Sequence, residues 1–170
     1  MLEIFNSLKP FFEDNYRRIN VREYARLQRI SPPTASKLLQ NLQNKNILKK
    51  ENHKQFIYYY ADKDSDGFVD LQRIYYKQLL EDSGLIDLFK KELSNPIVFL
   101  FGSLSKAEAK TDSDIDIAIF TPTKKKIALE KYEKILKRDI QLFIFGNREE
   151  LKSKELLNNI LNGYKITGNF

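Results

Sequence analysis

Residues 96–120 read PIVFLFGSLSKAEAKTDSDIDIAIF, and the fold of the second half of the chain turns on them. Ile97 to Phe101 is a short β-branched and aromatic run without a polar residue, the pattern of a fully buried strand. Gly102 ends it. Ser103 is placed to cap a short helix, Leu104 to Lys110, whose free amides and positive dipole end would face a phosphate-sized group at the turn. After Thr111-Asp112-Ser113, alternation puts Asp114 and Asp116 on one face of a second strand and Ile115, Ile117 and Ile119 on the other. Two carboxylates about 7 Å apart along a strand face can share a hard divalent cation, which takes oxygen ligands.

Gly102-Ser103 followed by Asp114-x-Asp116 resembles the signature of the polymerase-beta type nucleotidyltransferase superfamily, in its minimal, single-domain prokaryotic branch. The fuller pattern there runs Gly-Ser-x-Ala-Arg-Gly-Glu-Ala, a few residues, then Ser-Asp-Ile-Asp. Gly102, Ser103, Glu108, Ala109 and Ser113-Asp114-Ile115-Asp116 match it in order and spacing, while Ser105, Lys106 and Ala107 stand in place of the Ala-Arg-Gly.

The resemblance implies roles. Asp114 and Asp116 become catalytic metal ligands for Mg2+. Gly102 and Ser103, with Lys106, become the binding set for a nucleoside triphosphate, ATP being the simplest choice. The implied reaction is transfer of a nucleoside monophosphate to a hydroxyl. A third carboxylate is expected within Ile140 to Phe145, where such proteins commonly have Val-Asp-Leu, yet this chain has Ile140-Gln141-Leu142. Gln141 is neutral and can serve neither as base nor as charged ligand. Asp139 has the right side-chain parity but lies about 7 Å earlier along the strand, so it joins the catalytic set only if the strand swings it inward.

Elsewhere the composition narrows the classes. Apolar residues make up 42% of 170, enough for one ordinary domain or two small ones. No stretch approaches the length of a membrane span, and Glu3 and Asn6 do not suit a signal peptide, so no membrane partner is expected. The absence of cysteine fits a reducing cytoplasm and excludes thiolate metal sites, and a single histidine, His53, excludes a His-rich zinc site. Residues 1–62 carry eleven Lys/Arg against six Asp/Glu, which suits a polyanion.

Those first residues read helix, helix, helix, hairpin. An apolar stripe runs from Leu2 to Asp14, with Pro10 expected to bend or divide it. Asn20 caps a helix over 21–29, and Ser31 caps a third with Pro32 in its first turn and Leu38, Leu39 and Leu42 inward. Two extended runs, 47–51 and 55–61, flank Asn52-His53-Lys54. The order resembles the winged helix-turn-helix domains of prokaryotic regulators. That resemblance implies double-stranded DNA as partner, with Thr34, Ser36, Lys37 and Gln40 on the recognition helix and His53 and Lys54 on the wing.

Asp62 to Gly67 copies the first half of an EF-hand loop, but Arg73 stands where the bidentate Glu belongs, so a plain acidic linker is expected. A connector helix follows over 68–82, then helices over 85–94, 124–137 and 147–162, a third strand over 140–145, and a tail suited to an edge strand. Tyr58, Tyr59, Tyr60, Tyr75 and Tyr76 are expected in packing rather than base stacking.

The expected architecture is α+β: a winged helix over 1–62, a connector over 63–84, and a nucleotidyltransferase-like mixed sheet flanked by helices over 85–170. Three functions compete: a nucleotidyltransferase, a DNA-binding regulator whose second domain senses nucleotide, and half of a toxin–antitoxin pair with a small helical partner protein.

Overall fold

The computed structural model describes residues 3–169, so Leu2 lies outside the described residues. The chain divides into two compact units: Met1–Gln72 with Ala107–Thr111, and Arg73–Lys106 with Asp112–Phe170. Helices and two separate sheets make it an α+β protein.

In unit 1, α1 (Glu3–Glu13) buries Phe5, Leu8, Phe11 and Phe12. Of the two expected effects of Pro10, dividing the helix does not occur: Pro10 sits inside an unbroken α1. Proline has no N–H for the carbonyl four residues back. Gln28 Nε2 supplies the missing donor, reaching Asn6 O at 3.0 Å. β1 (Ile19–Asn20) leads into α2 (Val21–Gln28), capped by Asn20, whose side chain accepts from Glu23 N. α3 (Pro32–Asn44) is capped by Ser31. β2 (Leu48–His53) and β3 (Phe56–Ala61) form a hairpin closing at His53 opposite Phe56, with Lys54 at φ 54° in the turn. The order is β1-β3-β2, all antiparallel. At two residues β1 is too short to show a period of two, and only its pairing with Tyr58 and Tyr59 reveals it.

Lys49 Nζ lies 2.8 Å from both Asp62 and Asp64, so a lysine sits where the acidic linker would otherwise gather a cation. These hydrogen bonds, the one from Asp62 foremost, raise the pKa of Lys49. Asn15 is buried and satisfied on every side. Its Oδ1 accepts Ala109 N at 2.6 Å, its Nδ2 donates to Phe11 O at 2.7 Å and Gln72 Oε1 at 2.6 Å, and its N–H donates to Ala109 O at 2.8 Å. α4 (Asp66–Asp82) begins in unit 1 and ends in unit 2.

Unit 2 holds α5 (Leu85–Glu92), β4 (Ile97–Phe101), β5 (Ile115–Phe120), α6 (Glu130–Leu136), β6 (Ile140–Phe145), α7 (Lys154–Leu161) and β7 (Tyr164–Thr167). Its sheet runs β6-β5-β4-β7, with β5 parallel to β6 and β4 antiparallel to both β5 and β7. One core packs Ile97, Phe99, Phe101, Ala118 and Phe120 against Leu151 and Ile160. Each fully buried Phe or Ile there contributes about 1.5–3 kcal/mol. Tyr59, Tyr75 and Tyr76 are buried, and Tyr75 meets Tyr76 edge-on at 5.1 Å.

Three expected helices are shorter than their sequence patterns. The helix over 104–110 is a single 3-10 turn, Ser103–Ser105, because Ala107 takes φ 55° and Ser105 spends both its N–H and its hydroxyl on Gly102 O. The helix over 124–137 starts only at Glu130, and the preceding Lys124 and Lys125 pair with Glu150 and Glu92. The helix over 147–162 splits: Asn147 caps a 3-10 turn, Arg148–Glu150, and Ser153 caps α7 anew. Glu150 reaches past Asn147 to accept Gly146 N at 2.8 Å, which holds its carboxyl below the usual range.

Candidate nucleotide and metal site

β4 delivers Gly102 to the end of a strand whose last residue, Phe101, pairs with Asp116. Gly102 has φ 69° and ψ −155°, a region open essentially only to glycine. A Cβ there would lie 2.0 Å from Asp116 Oδ2, so the missing side chain is what lets the turn sit against the carboxylate. The turn is held from behind. Arg73 Nε donates to Ser105 O at 2.9 Å, and Ser105 Oγ donates to Gly102 O at 2.9 Å. Lys106 Nζ donates to Asn159 Oδ1 on α7 at 2.9 Å. With one 3-10 turn in place of a helix, the turn offers the backbone amides of a loop and no helix macrodipole.

Asp114 immediately precedes β5 and Asp116 lies within it, close enough for the charge of one to act on the other. Burial first, and the charge of Asp114 second, push the Asp116 carboxyl above its usual value. Such a group favours folding in its protonated form. The stability it contributes is complete below the ordinary Asp value of about 3.9 and is lost as pH rises through the raised value. Asp116→Asn is therefore expected to melt higher than wild type at neutral pH, with the gain disappearing in acid. Thermal unfolding of both proteins across that window checks it, and a difference in melting temperature that stays constant with pH overturns it.

β6 runs parallel to β5 with Gln141 in register with Asp116. Gln141 Nε2 donates to Asp114 Oδ2 at 2.6 Å, so the position opposite the pair is filled by an amide bonded to one of its members. Asp139 precedes β6, is exposed, and uses its carbonyl to accept Ile115 N at 2.8 Å. No group of three or more His, Cys, Asp or Glu suited to a metal forms among the described residues. Arg73, Asn159 and the Gln141 bond to Asp114 escaped sequence reasoning, because each contact joins residues far apart in the chain. The family resemblance singles out Gln141, at the place where a third carboxylate is expected, but not its bond to Asp114.

In unit 1, Thr34, Lys37 and Gln40 are exposed on α3. Thr34 is shared with the helix cap, 2.8 Å from Ser31 Oγ, and Gln40 Nε2 donates to the half-buried Ser36 at 3.3 Å. His53 and Lys54 are exposed at the hairpin tip, His53 edge-on to Tyr58. Exposed Phe56 and Ile57 lie beside them.

A mixed sheet ending in a glycine turn packed on paired aspartates is a site whose chemistry suits phosphate oxygens and a hard cation. The family model Polymerase beta, Nucleotidyltransferase matches residues 83–166, which include the Gly102 turn, both aspartates and β6, and the match supports a nucleotidyltransferase domain over that segment. No curated protein and no solved structure matches the chain. No helix among the described residues is long and apolar enough to cross a membrane.

Proposed function

We propose that unit 2 binds a nucleoside triphosphate, with ATP as the simplest candidate, together with Mg2+ at the Gly102–Ser103 turn and the Asp114/Asp116 pair. The observation that carries this reading is the approach of Gly102 to Asp116, which sets any phosphate held at the turn beside the carboxylates. Ser103 Oγ has no hydrogen-bond partner among the described residues and is half-buried beside them. Lys106 reaches the same site only by releasing Asn159.

The donor set fits one hard cation. The charge of Asp114 adds to the cost of ionising the part-buried Asp116, a cation relieves it, and Gln141 offers a neutral oxygen once its amide turns end for end. When bound, a divalent cation supplies charge stabilisation at the phosphate oxygens. Gln141 withholds the negative charge and the proton acceptor that a third carboxylate would bring, and this favours binding of nucleotide over its turnover. Unit 1 is read as a winged helix that binds DNA through Lys37, Gln40 and the hairpin tip. The helix-strand-helix-helix-hairpin order and the basic first third support that reading.

The test is incubation with α-labelled nucleoside triphosphate and Mg2+, with cell extract as a source of acceptors. Wild type is expected to bind saturably without transferring label, Asp114→Asn to lose Mg2+-dependent binding, and Gln141→Asp to gain transfer, of order 10²-fold over background as a positioned base contributes. Transfer by wild type that vanishes in Asp114→Asn would make the protein an enzyme and Gln141 no obstacle. Absence of Mg2+-dependent nucleotide binding overturns both readings.

A further inference from the structure

Arg22, Arg26 and Arg29 recur at one-turn spacing along α2 and its cap, so they share one face of unit 1. With Ala25, Ile30 and Pro32 they line a cleft of about 690 Å3. All three are exposed, and none of their guanidinium groups has an ion-pair or hydrogen-bond partner among the described residues. Neighbouring cations of the same unit do have partners: Arg17 with Glu23 at 2.9 Å, Arg18 with Glu51 at 2.6 Å, and Lys49 with Asp62 and Asp64. No acidic residue among the described residues lines the cleft.

Like charges four residues apart destabilise a helix. The helix dipole accounts for Arg26 in the last turn and Arg29 at the cap, where Arg29 takes φ 55°. It does not account for Arg22, which stands in the first turn, where positive charge is disfavoured. A bound anion with several oxygens would satisfy all three. Guanidinium forks match phosphate geometry, and the cleft volume lies in the usual range for a ligand site.

We infer that Arg22, Arg26 and Arg29 form a phosphate-binding cleft in unit 1, distinct from the Gly102 turn, that takes the phosphodiester backbone of a nucleic-acid duplex. The inference deepens the DNA reading of unit 1, yet its geometry stands without Lys37 or the hairpin. The phosphates can come from a duplex or from a free polyphosphate, and the experiment separates the two. Fluorescence anisotropy with a mixed-sequence duplex, and calorimetry with tripolyphosphate, are run on the full chain as wild type, Lys37→Ala, the triple Arg→Gln variant and the triple Arg→Lys variant.

The triple Gln variant is expected to bind duplex about tenfold more weakly or worse, and its salt dependence to flatten by about 0.9 in log–log slope for each phosphate no longer neutralised. The Lys variant is expected to keep the slope. Thermal unfolding monitors that each variant is folded. Duplex binding that depends on Lys37 but ignores the arginines overturns this inference and leaves the DNA reading standing. Arginine-dependent binding of tripolyphosphate without duplex binding keeps the phosphate cleft, moves its ligand to a polyphosphate and sinks the DNA reading. Failure of wild type to bind either overturns both.

Discussion

Gly102→Ala is expected to unfold at markedly lower denaturant than wild type and to lose Mg2+-dependent nucleotide binding. The backbone at φ 69° and ψ −155° costs a residue with a Cβ about 1–3 kcal/mol on its own. The added carbon would also lie 2.0 Å from Asp116 Oδ2 and 2.9 Å from its Cγ, so the carboxylate must turn away or β4 must part from β5. Either response moves the group that the proposed cation needs.

A double-mutant cycle separates the two causes. Gly102→Ala combined with Asp116→Ala removes the clashing oxygens, so the pair should be more stable than the sum of its single changes by more than the roughly 0.5 kcal/mol scatter of independent sites. Strict additivity would mean that backbone conformation alone demands glycine at 102 and that the carboxylate of Asp116 plays no part. Ser103→Ala, which keeps the backbone, is expected to change stability little.

The second large effect concerns Asn15. Its side chain and main chain make four hydrogen bonds in a buried setting, to Ala109 twice, to Phe11 O and to Gln72. Asn15→Leu fills the site with an apolar side chain but removes the three side-chain bonds, leaving the buried Ala109 N–H unpaired. One buried unsatisfied group costs about 1–3 kcal/mol, and the altered cluster should bring the loss to roughly 2–4 kcal/mol. Urea denaturation should show a lower midpoint with an unchanged slope. A loss within about 0.5 kcal/mol, the range of exposed substitutions, would mean that water or a neighbour takes over the bonds of Asn15.

Periodicity made most of the elements legible. The apolar run Ile97–Phe101, the alternation after Asp114 and the caps at Asn20 and Ser31 each follow from local preferences acting over a few residues. The hairpin turn, by contrast, falls at Lys54 and Gln55 and not at residues 52–54, because Asn52 and His53 pair with Ile57 and Phe56. Local preference also exaggerated three helices. At Ala107 a positive φ ends what helix propensity would extend, and Lys124 and Lys125 lie ahead of α6, paired with the distant acids Glu150 and Glu92. Pro10, expected to bend or divide α1, does not divide it, and Gln28, at the end of the next helix, reaches the carbonyl it leaves free.

The candidate site divides along the same line. The sequence by itself determined the inventory: a Gly-Ser turn after a buried strand, two aspartates of equal parity, and a glutamine, Gln141, where the family resemblance implies a third carboxylate. These are matters of residue type and spacing, and the strand period turns spacing into facing. Only the tertiary structure decided what those residues do to one another. Strand pairing set Phe101 against Asp116 and Gln141 beside it, which brought Gly102 into contact with one carboxylate and an amide onto the other. Parallel and antiparallel registers are fixed by packing across the whole sheet, so no local window contains them.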